Sequence, residues 1–184
     1  MKRTFDIVIS LVAIFLLSPI LVGVSILIWK NDRGSVFFRQ QRVGLNGKEF
    51  CILKFRSMVE NAPELGGYQT LDNDNRITKV GVFIRKTSID ELPQFFNVLK
   101  GDMSIVGPRP NVLAQRDEYD EWEWNVRNSV RPGITGLAQA KGRSSLTPAR
   151  RTKLDLEYAE SHSLMKDISI LILTVKQVIT QGGN

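Results

Sequence analysis

The feature that most constrains the fold of this 184-residue chain is an uninterrupted run of uncharged, mostly apolar residues from Ile7 to Trp29. An α-helix rises about 1.5 Å per residue, so roughly 20 apolar residues are enough to cross a bilayer core of ~30 Å. Pro19, preceded by Ser18, lies near the middle of the run. A proline there removes a backbone donor and bends or breaks a helix, and the Ser18 hydroxyl can bond to a carbonyl that the break frees. The run therefore predicts a membrane helix bent at mid-depth.

The charges that flank this run leave two topologies open. Lys2 and Arg3 precede it and Lys30 and Arg33 follow it, so the positive-inside rule gives no preferred orientation. A helix that enters one leaflet, bends and returns would place both basic ends on the cytoplasmic side, whereas a spanning anchor would tolerate the proline. A cleaved signal peptide fits poorly, because the run is longer than the ~7–15 residues of a signal h-region and no small-residue cleavage site follows. We therefore expect the N-terminus to be retained as an anchor.

The excess of positive charge is concentrated in one part of the chain. The sequence has 25 Lys and Arg against 19 Asp and Glu, and between Val126 and Leu154 every charged residue is basic. A basic surface beside a membrane anchor indicates anionic headgroups or a phosphorylated substrate. Nucleic acid is not expected, because aromatic residues are not interleaved with the basic ones and no nucleic-acid motif is present. Cys51 is the only cysteine, which excludes an intrachain disulfide, and its apolar neighbours predict a core position.

A β-hairpin is predicted between Ser35 and Met58. Strand-forming residues occur on both sides of Asn46-Gly47, which is the dipeptide most typical of a tight hairpin turn. On the second strand, Lys54 and Arg56 share one face. They form either a solvated basic surface or a pair that faces a phosphate.

The segment from Arg85 to Asp102 contains a predicted helix with one buried face, which begins near Asp90 or, by a capping box of Ser88 and Glu91, up to two residues earlier. Its apolar side chains follow the spacing i, i+3, i+4 and i+7, and Gly101 is a natural stop. Those four apolar residues are Leu92, Phe95, Phe96 and Leu99.

Asp90 and Glu91 are adjacent carboxylates at the start of this helix. In one interpretation Asp90 caps the helix and Glu91 complements the helix dipole. In the other, the helix start is a phosphate site. Mg²⁺ held by these carboxylates and by substrate phosphates would then remove the charge repulsion, and a carboxylate can also attack phosphorus.

Two stiff turns follow this helix. Arg109 lies between Pro108 and Pro110, which fix its backbone, so its guanidinium would lose little freedom on gripping a phosphate. A plain rigid turn with an exposed arginine is the alternative. The second turn is the segment Arg131-Pro132-Gly133-Ile134-Thr135-Gly136.

Taken together, these motifs resemble the small bacterial monotopic phosphoglycosyl transferases, the catalytic unit shared with larger sugar-phosphate transferases. The resemblance covers nearly the whole chain, and Leu137 and Lys141 stand where the family often has Trp and Asn. The segments that carry it, in order, are Lys2-Arg3, Ser18-Pro19, Lys54-Phe55-Arg56-Ser57-Met58, Asp90-Glu91-Leu92-Pro93-Gln94, Asn97 to Ser104, Val106-Gly107-Pro108-Arg109-Pro110, Arg131 to Gly136, and Gly142-Arg143.

The resemblance implies a specific reaction. Members transfer a phosphosugar from a UDP-sugar to a polyprenol phosphate such as undecaprenyl phosphate, release UMP and require Mg²⁺. Asp90 would be the nucleophile of a ping-pong reaction with a covalent phosphosugar intermediate and would also bind the metal. Glu91 would help to bind the metal, or to orient and deprotonate the lipid phosphate. N-acetylated amino sugars are the favoured donors, although no residue decides the sugar. The expected phosphate contacts are Arg85, Arg109, Arg143, Lys54 and Arg56.

The resemblance also implies an α+β fold at one face of a membrane. Residues 1–30 would form a re-entrant helix bent at Ser18-Pro19, with Lys2 and Arg3 at its start. Residues 31–184 would form a compact cytoplasmic catalytic domain with a small β-hairpin or sheet and amphipathic interfacial helices. The protein would be monotopic at the cytoplasmic face of the bacterial inner membrane. Its partners would be the UDP-sugar, the polyprenol phosphate and the membrane, and a homo-oligomer is left open.

Two alternatives complete the expectations. The apolar residues from Ile168 to Ile179 recur with helical spacing and predict an amphipathic helix too short and polar to span a membrane. This helix would either pack on the core or lie at the membrane interface.

The alternative function is that of a bitopic, non-catalytic anchor protein in a glycan-assembly complex.

Overall fold

The computed structural model describes residues 1–67, 74–142 and 146–181, and it confirms the α+β class. The helices are α1 (Lys2–Asp32), α2 (Ala62–Leu65), α3 (Lys79–Lys86), α4 (Gln94–Lys100), α5 (Glu121–Arg127), α6 (Leu137–Lys141), α7 (Pro148–Ser161) and α8 (Leu164–Gln181). The strands are β1 (Phe37–Val43), β2 (Glu49–Phe55), β3 (Ser104–Val106) and β4 (Gly133–Thr135). Short 3₁₀ turns cover Leu45–Gly47, Ile89–Glu91 and Leu113–Glu118.

The predicted hairpin is confirmed. Strands β1 and β2 pair antiparallel in a register that runs from Phe37 opposite Phe55 to Val43 opposite Glu49. Asn46 and Gly47 have φ angles of 54° and 76°, a left-handed conformation that these two residue types tolerate best. The core position predicted for Cys51 is wrong, because Cys51 is exposed: alternate residues of a strand point to opposite faces.

A second, parallel pair of strands brings the two stiff turns together. Strand β3 pairs with β4, and the chains approach so closely that only glycine fits. A Cβ atom on Gly107 would lie 2.2 Å from the carbonyl oxygen of Arg131, and one on Gly133 would lie 2.1 Å from the nitrogen of Gly107. The loop that carries Arg109 therefore runs directly beside the turn that begins at Arg131.

The apolar side chains of the described residues form two clusters. The larger one joins the hairpin residues Phe50 and Ile52 to α4, the β3–β4 pair and the three C-terminal helices. The smaller one contains Val24 and Ile28 of α1 together with Phe55 and Ile84. Helix α1 is thus part of the packed body and extends to Asp32, two residues beyond the predicted boundary at residue 30.

The N-terminal end of α1 is bonded to the rest of the protein. Lys2 Nζ lies 2.5 Å from Asp167 Oδ2, and Arg3 donates hydrogen bonds of 2.6 and 2.9 Å to the carbonyls of Val98 and Leu99. The last carbonyls of a helix lack partners within the helix, so Arg3 completes the C-terminal end of α4. The start of α1 is therefore fixed by charge-assisted bonds.

The C-terminal end of α1 packs on the same body, and its middle does not. Val24 and Ile28 are buried, and Asp32 pairs with Arg56. In the middle of the helix, residues 11–20 include no buried side chain, and Phe15 is 79% exposed. The helix continues through Pro19 without interruption, and the Ser18 hydroxyl donates to the Phe15 carbonyl at 2.8 Å. Within the described residues, α1 is the one helix long and apolar enough to cross a membrane.

The buried face predicted for α4 is only partly confirmed: Phe95 packs against the larger cluster, but none of the four predicted residues is fully buried. The buried side chains are Gln94, Asn97 and Val98, whereas Phe96 is 42% exposed. Asn97 accounts for the orientation: its Oδ1 accepts from the Leu53 amide at 2.9 Å and its Nδ2 donates to the Cys51 carbonyl at 2.8 Å. The helix turns its polar side toward strand β2 and leaves an apolar side chain outside.

Of the two arrangements left open by its sequence, the C-terminal helix α8 adopts packing on the core, and its placement at a membrane interface stays a prediction. Asp167 and Ile170 are buried against the core. Ile168, Ile172 and Val175, spaced i, i+4 and i+7, are 37%, 65% and 58% exposed. The helix therefore packs on the core with one face and presents an apolar stripe on another.

We expect Asn97→Ala to lower the free energy of unfolding by about 2–4 kcal/mol, because it leaves a strand amide and a strand carbonyl unpaired in the interior. Unfolding in detergent by urea or heat would measure the loss. Lys100→Ala, on the exposed side of the same helix, is the matched control and should change stability by less than about 0.5 kcal/mol. Equal losses in the two variants would contradict this role of Asn97.

Candidate active site

A sharp turn between α3 and α4 presents the two adjacent carboxylates. Ser88 adopts a left-handed conformation with φ of 56°, and its amide bonds back to the Arg85 carbonyl at 3.0 Å. The 3₁₀ turn Ile89–Glu91 follows directly. Asp90 therefore lies inside this turn and does not cap α4, whose N-cap is Pro93. The predicted capping role is wrong.

Glu91 is held by two cations. Its Oε1 atom accepts hydrogen bonds from Lys54 Nζ at 2.7 Å and from Arg109 Nη2 at 2.9 Å. Burial alone would raise the pKa of Glu91, but the charges and hydrogen bonds of Arg109 and Lys54 hold that pKa well below its usual range. Glu91 is therefore ionised throughout the physiological range.

Asp90 has the opposite environment. Burial and the negative charge of Glu91 raise the pKa of Asp90 to about 6, and the charges of Lys54, Arg85 and Arg109 oppose that rise. Among the described residues, no group donates a hydrogen bond to its carboxylate. At neutral pH Asp90 is thus an ionised carboxylate with free lone pairs beside three basic side chains.

The structure brings three of the predicted phosphate contacts to this turn. Lys54 and Arg109 bond to Glu91, and burial lowers the pKa of Lys54. Arg85 comes from the last turn of α3 and is one of the charges that act on Asp90.

The other two predicted phosphate contacts, Arg56 and Arg143, are not among those three. Arg56 is buried and pairs with Asp32 at the end of α1, so the structure does not bring it to Asp90 and Glu91. Arg143 lies outside the described residues. Lys2 and Arg3 lie at the start of α1, where they bond to α8 and α4.

Sequence reasoning missed Arg42. It lines a small cleft together with Lys54, Gln94 and Arg109. Burial and the nearby charge of Arg109 lower the pKa of Arg42 to about 10, against the opposing effect of Glu91. The hairpin register contained the signal: with Asn46-Gly47 at the turn, Arg42 lies opposite Phe50 and therefore on the same face as Lys54.

The two carboxylates fit a shared Mg²⁺ better than a resident one. The described residues contain no group of three or more His, Cys, Asp or Glu side chains placed to hold a metal. Asp90 has free lone pairs, whereas one oxygen of Glu91 already accepts two hydrogen bonds. Mg²⁺ is commonly held by one or two carboxylates plus substrate phosphates and water. The donor set therefore fits Mg²⁺ that arrives with a phosphorylated substrate.

We expect Asp90→Asn to stabilise the protein at pH 7.5. Because the folded pKa of Asp90 is raised to about 6 from a usual value of 3.8, its stabilising contribution is complete below pH 4 and is lost as pH rises through 6. Removing the charge should therefore raise the free energy of unfolding by on the order of 1–3 kcal/mol at pH 7.5 and change it little at pH 4. Unfolding in detergent from pH 4 to 8 would measure the difference.

Glu91→Gln is the matched control for this prediction. The pKa of Glu91 is lowered by its cations, so its charge stabilises the fold at neutral pH, and its removal leaves Lys54 and Arg109 beside an uncharged amide oxygen in place of a carboxylate. Glutamine keeps an oxygen that can accept from both cations, but without the negative charge that holds them, so this variant should be less stable than the wild type at pH 7.5. A destabilised Asp90→Asn protein would contradict the assigned environment of Asp90.

Comparison with known proteins agrees with this geometry. Residues 1–181 match the profile of the family described as bacterial sugar transferase. The chain is 43% identical to the UDP-glucose:undecaprenyl-phosphate glucose-1-phosphate transferase of Escherichia coli K12, over 95% of this chain and 39% of that protein. It is 42% identical to the UDP-N-acetylgalactosamine-undecaprenyl-phosphate N-acetylgalactosaminephosphotransferase of Aeromonas hydrophila, over 99% of this chain and 44% of that one.

A third relative is similar in length to this chain. The exopolysaccharide production protein ExoY of Rhizobium meliloti is 38% identical over 100% of this chain and 87% of its own length. The chain spans about two fifths of the length of the first two relatives. Because the profile matches nearly the whole chain, the family predicted from the motifs is confirmed: the protein is a member of the bacterial sugar transferase family.

Proposed function

We propose that this protein transfers a sugar-1-phosphate from a UDP-sugar to undecaprenyl phosphate, or a similar polyprenol phosphate, and releases UMP. The observation that carries the proposal is the environment of Asp90, an ionised carboxylate to which no described residue donates a hydrogen bond and which lies beside Lys54, Arg85 and Arg109. The printed names of two relatives describe the same class of transfer for glucose and for N-acetylgalactosamine. An N-acetylated amino sugar is our proposed donor.

In the first step, an Asp90 oxygen attacks the phosphorus that bears the sugar. A P–O bond forms between Asp90 and this phosphorus. The bond from this phosphorus to the oxygen that bridges the diphosphate breaks, and UMP leaves with the electron pair. Positive side chains around the phosphate stabilise the charge that develops on its oxygens. Asp90 suits this step better than Glu91 because its pKa near 6 makes it the more basic carboxylate, and its lone pairs are free.

In the second step, an oxygen of the lipid phosphate attacks the same phosphorus and Asp90 leaves as a carboxylate. The product is a polyprenyl diphosphate sugar. A phosphate monoester loses its second proton near pH 6, so the acceptor is largely dianionic at pH 7.5 and needs no strong base. With its pKa held well below the usual range, Glu91 is suited to orient Lys54 and Arg109, and not to accept a proton.

Mg²⁺ is part of the proposal as a cofactor that enters with the donor. Asp90 and Glu91 are the residues that would hold it, together with phosphate oxygens. When bound, Mg²⁺ would neutralise the diphosphate and make UMP a better leaving group. Lys54, Arg85 and Arg109 would bind the remaining phosphate charge and orient the donor.

We also propose that α1 is re-entrant and that the protein is monotopic at the cytoplasmic face of the inner membrane. Both ends of α1 contact the same body, through Lys2 and Arg3 at one end and Asp32 at the other. Its middle, residues 11–20, has no buried side chain. This pattern supports a helix that enters one leaflet and returns, because a spanning helix would place its two ends on opposite sides of the membrane, where one body could not contact both.

Exposed apolar side chains outside α1 support the same placement. Phe83 on α3, Phe96 on α4 and Ile172 on α8 are all exposed, as interfacial helices require. A polyprenol phosphate keeps its tail in lipid and its phosphate among the headgroups. A catalytic turn between α3 and α4 would then lie at the depth of that phosphate.

We expect a covalent phosphosugar on Asp90 when the protein meets Mg²⁺ and its UDP-sugar without lipid acceptor. The acceptor is needed only in the second step, so UMP release should stop near one equivalent. Acid quenching followed by mass spectrometry of the peptide that contains residue 90 would detect the added sugar phosphate, using a panel of UDP-glucose, UDP-galactose and their N-acetylated amino forms.

Two variants make this experiment decisive. Asp90→Asn should abolish both the adduct and turnover, whereas Asp117→Asn, which removes an exposed carboxylate away from the turn, should retain both. Sustained turnover by Asp90→Asn would overturn the assignment of the nucleophile. Absence of UMP release with every donor would overturn the proposed reaction.

Single cysteines at both ends of α1 should react from the cytoplasmic side only. The exposed Cys51 is first replaced by alanine, and Thr4→Cys and Asn31→Cys are then made singly, because both positions are exposed. A membrane-impermeant maleimide applied to spheroplasts and to inverted vesicles would measure accessibility. Labelling of the two positions from opposite faces would support a bitopic anchor and contradict the re-entrant helix.

A further inference from the structure

The loop around Arg109 is fixed almost entirely through its carbonyl groups. Pro108 and Pro110 have no amide hydrogen, so they cannot donate to a neighbouring strand. The Pro108 carbonyl accepts from the Gly133 amide at 2.9 Å, and the Asn111 carbonyl accepts from the Val43 amide at 2.8 Å. The backbone thus fixes the two ends of the loop.

Two arginine side chains fix the carbonyls between those ends. Arg127 Nη2 donates to the Arg109 carbonyl at 2.5 Å, and Arg42 Nη1 donates to the Pro110 carbonyl at 3.0 Å. They come from helix α5 and strand β1, on separate sides of the loop. The backbone of Arg109 is therefore set by a side chain that is distant in sequence.

Arg127 is itself locked in place. It is 2% exposed, and its Nε donates to Asp155 Oδ2 on α7 at 3.0 Å. Replacing a buried ion pair of this kind by apolar residues is often neutral or stabilising, so stability alone gives little reason for it. A planar guanidinium can bond a carboxylate and a carbonyl at once in a fixed geometry, which is what this position demands.

We propose that Arg127, held by Asp155, is a positioning residue of the transfer reaction: it fixes the Arg109 loop so that the Arg109 guanidinium meets Glu91 and the substrate phosphate. Arg127 touches no substrate and acts through Arg109 alone. The inference rests on the proposed function in one respect, the binding of phosphate by Arg109. Arg42 fixes the same loop but also lines the cleft, so its substitution would not separate positioning of the loop from direct contact with the substrate.

The test combines paired substitutions with a double-mutant cycle. Arg127→Gln together with Asp155→Asn removes both buried charges at once and leaves neither unpaired. Arg131→Gln is the matched control, because Arg131 Nε also donates to a backbone carbonyl, that of Gly101 at 2.9 Å, in a different loop. Each is made alone and in the Arg109→Ala background, and kcat and KM for UMP release are measured.

The paired variant should lower kcat by about ten- to a hundredfold, as expected from a displaced catalytic contact, with a smaller change in KM. In the Arg109→Ala background the same two substitutions should lower kcat by less than about twofold, because the Arg109 contact that Arg127 positions is already absent. Arg131→Gln should have the same effect in both backgrounds. An undiminished loss from the pair in the Arg109→Ala background would overturn the proposal.

Two further measurements keep the proposal falsifiable. Hydrogen exchange of the amides of Gly107, Arg109, Asn111 and Val112 should accelerate in the paired variant and not in Arg131→Gln, and an unchanged rate would overturn the proposal. This readout needs no turnover, so it decides the positioning role even where every UDP-sugar fails and the proposed function falls. If the paired variant does not fold, Arg127→Lys takes its place, since lysine keeps the positive charge but lacks the planar guanidinium that bonds a carboxylate and a carbonyl at once. Full kcat with Arg127→Lys would overturn the proposal.

Discussion

The site depends on one oxygen atom, Oε1 of Glu91, which accepts hydrogen bonds from both Lys54 and Arg109. These three residues belong to the hairpin, to the turn between α3 and α4 and to a proline-rich loop, which are far apart in sequence. Two cations on one carboxylate leave an excess of positive charge. That excess faces Asp90, so the contact that joins the three segments also prepares a site for a phosphate.

Helix α1 and the site are connected through α4, a helix of seven residues. Its N-terminal end follows Glu91, and its C-terminal carbonyls accept hydrogen bonds from Arg3. Asn97, in the middle of the helix, binds the backbone of strand β2. The positions of α1 and of the carboxylates are therefore set by the same short element, and a shift of α1 along its axis would pull on the turn that carries Asp90 and Glu91.

Features that depend on neighbouring residues could be predicted from the sequence, and those that depend on distant groups could not. Asn46-Gly47 fixes the hairpin locally, and Asp90-Glu91 and the prolines around Arg109 mark the site. The buried face of α4 was predicted only in part because Asn97 finds backbone partners on β2 that periodicity cannot reveal. Arg127 was missed for the same reason, since its carbonyl partner lies in another loop.

The adjacent carboxylates illustrate how one turn produces two chemistries. Asp90 and Glu91 are neighbours in sequence and both are partly buried, yet burial raises the pKa of one while Arg109 and Lys54 lower that of the other. Pairs of carboxylates with divergent pKa values commonly divide catalytic roles. The division here depends on where Arg109 stands, because the same guanidinium bonds Glu91 and acts on Asp90. A loop whose carbonyls are fixed from three sides is thus the condition under which Asp90 can be the basic, unbonded member of the pair.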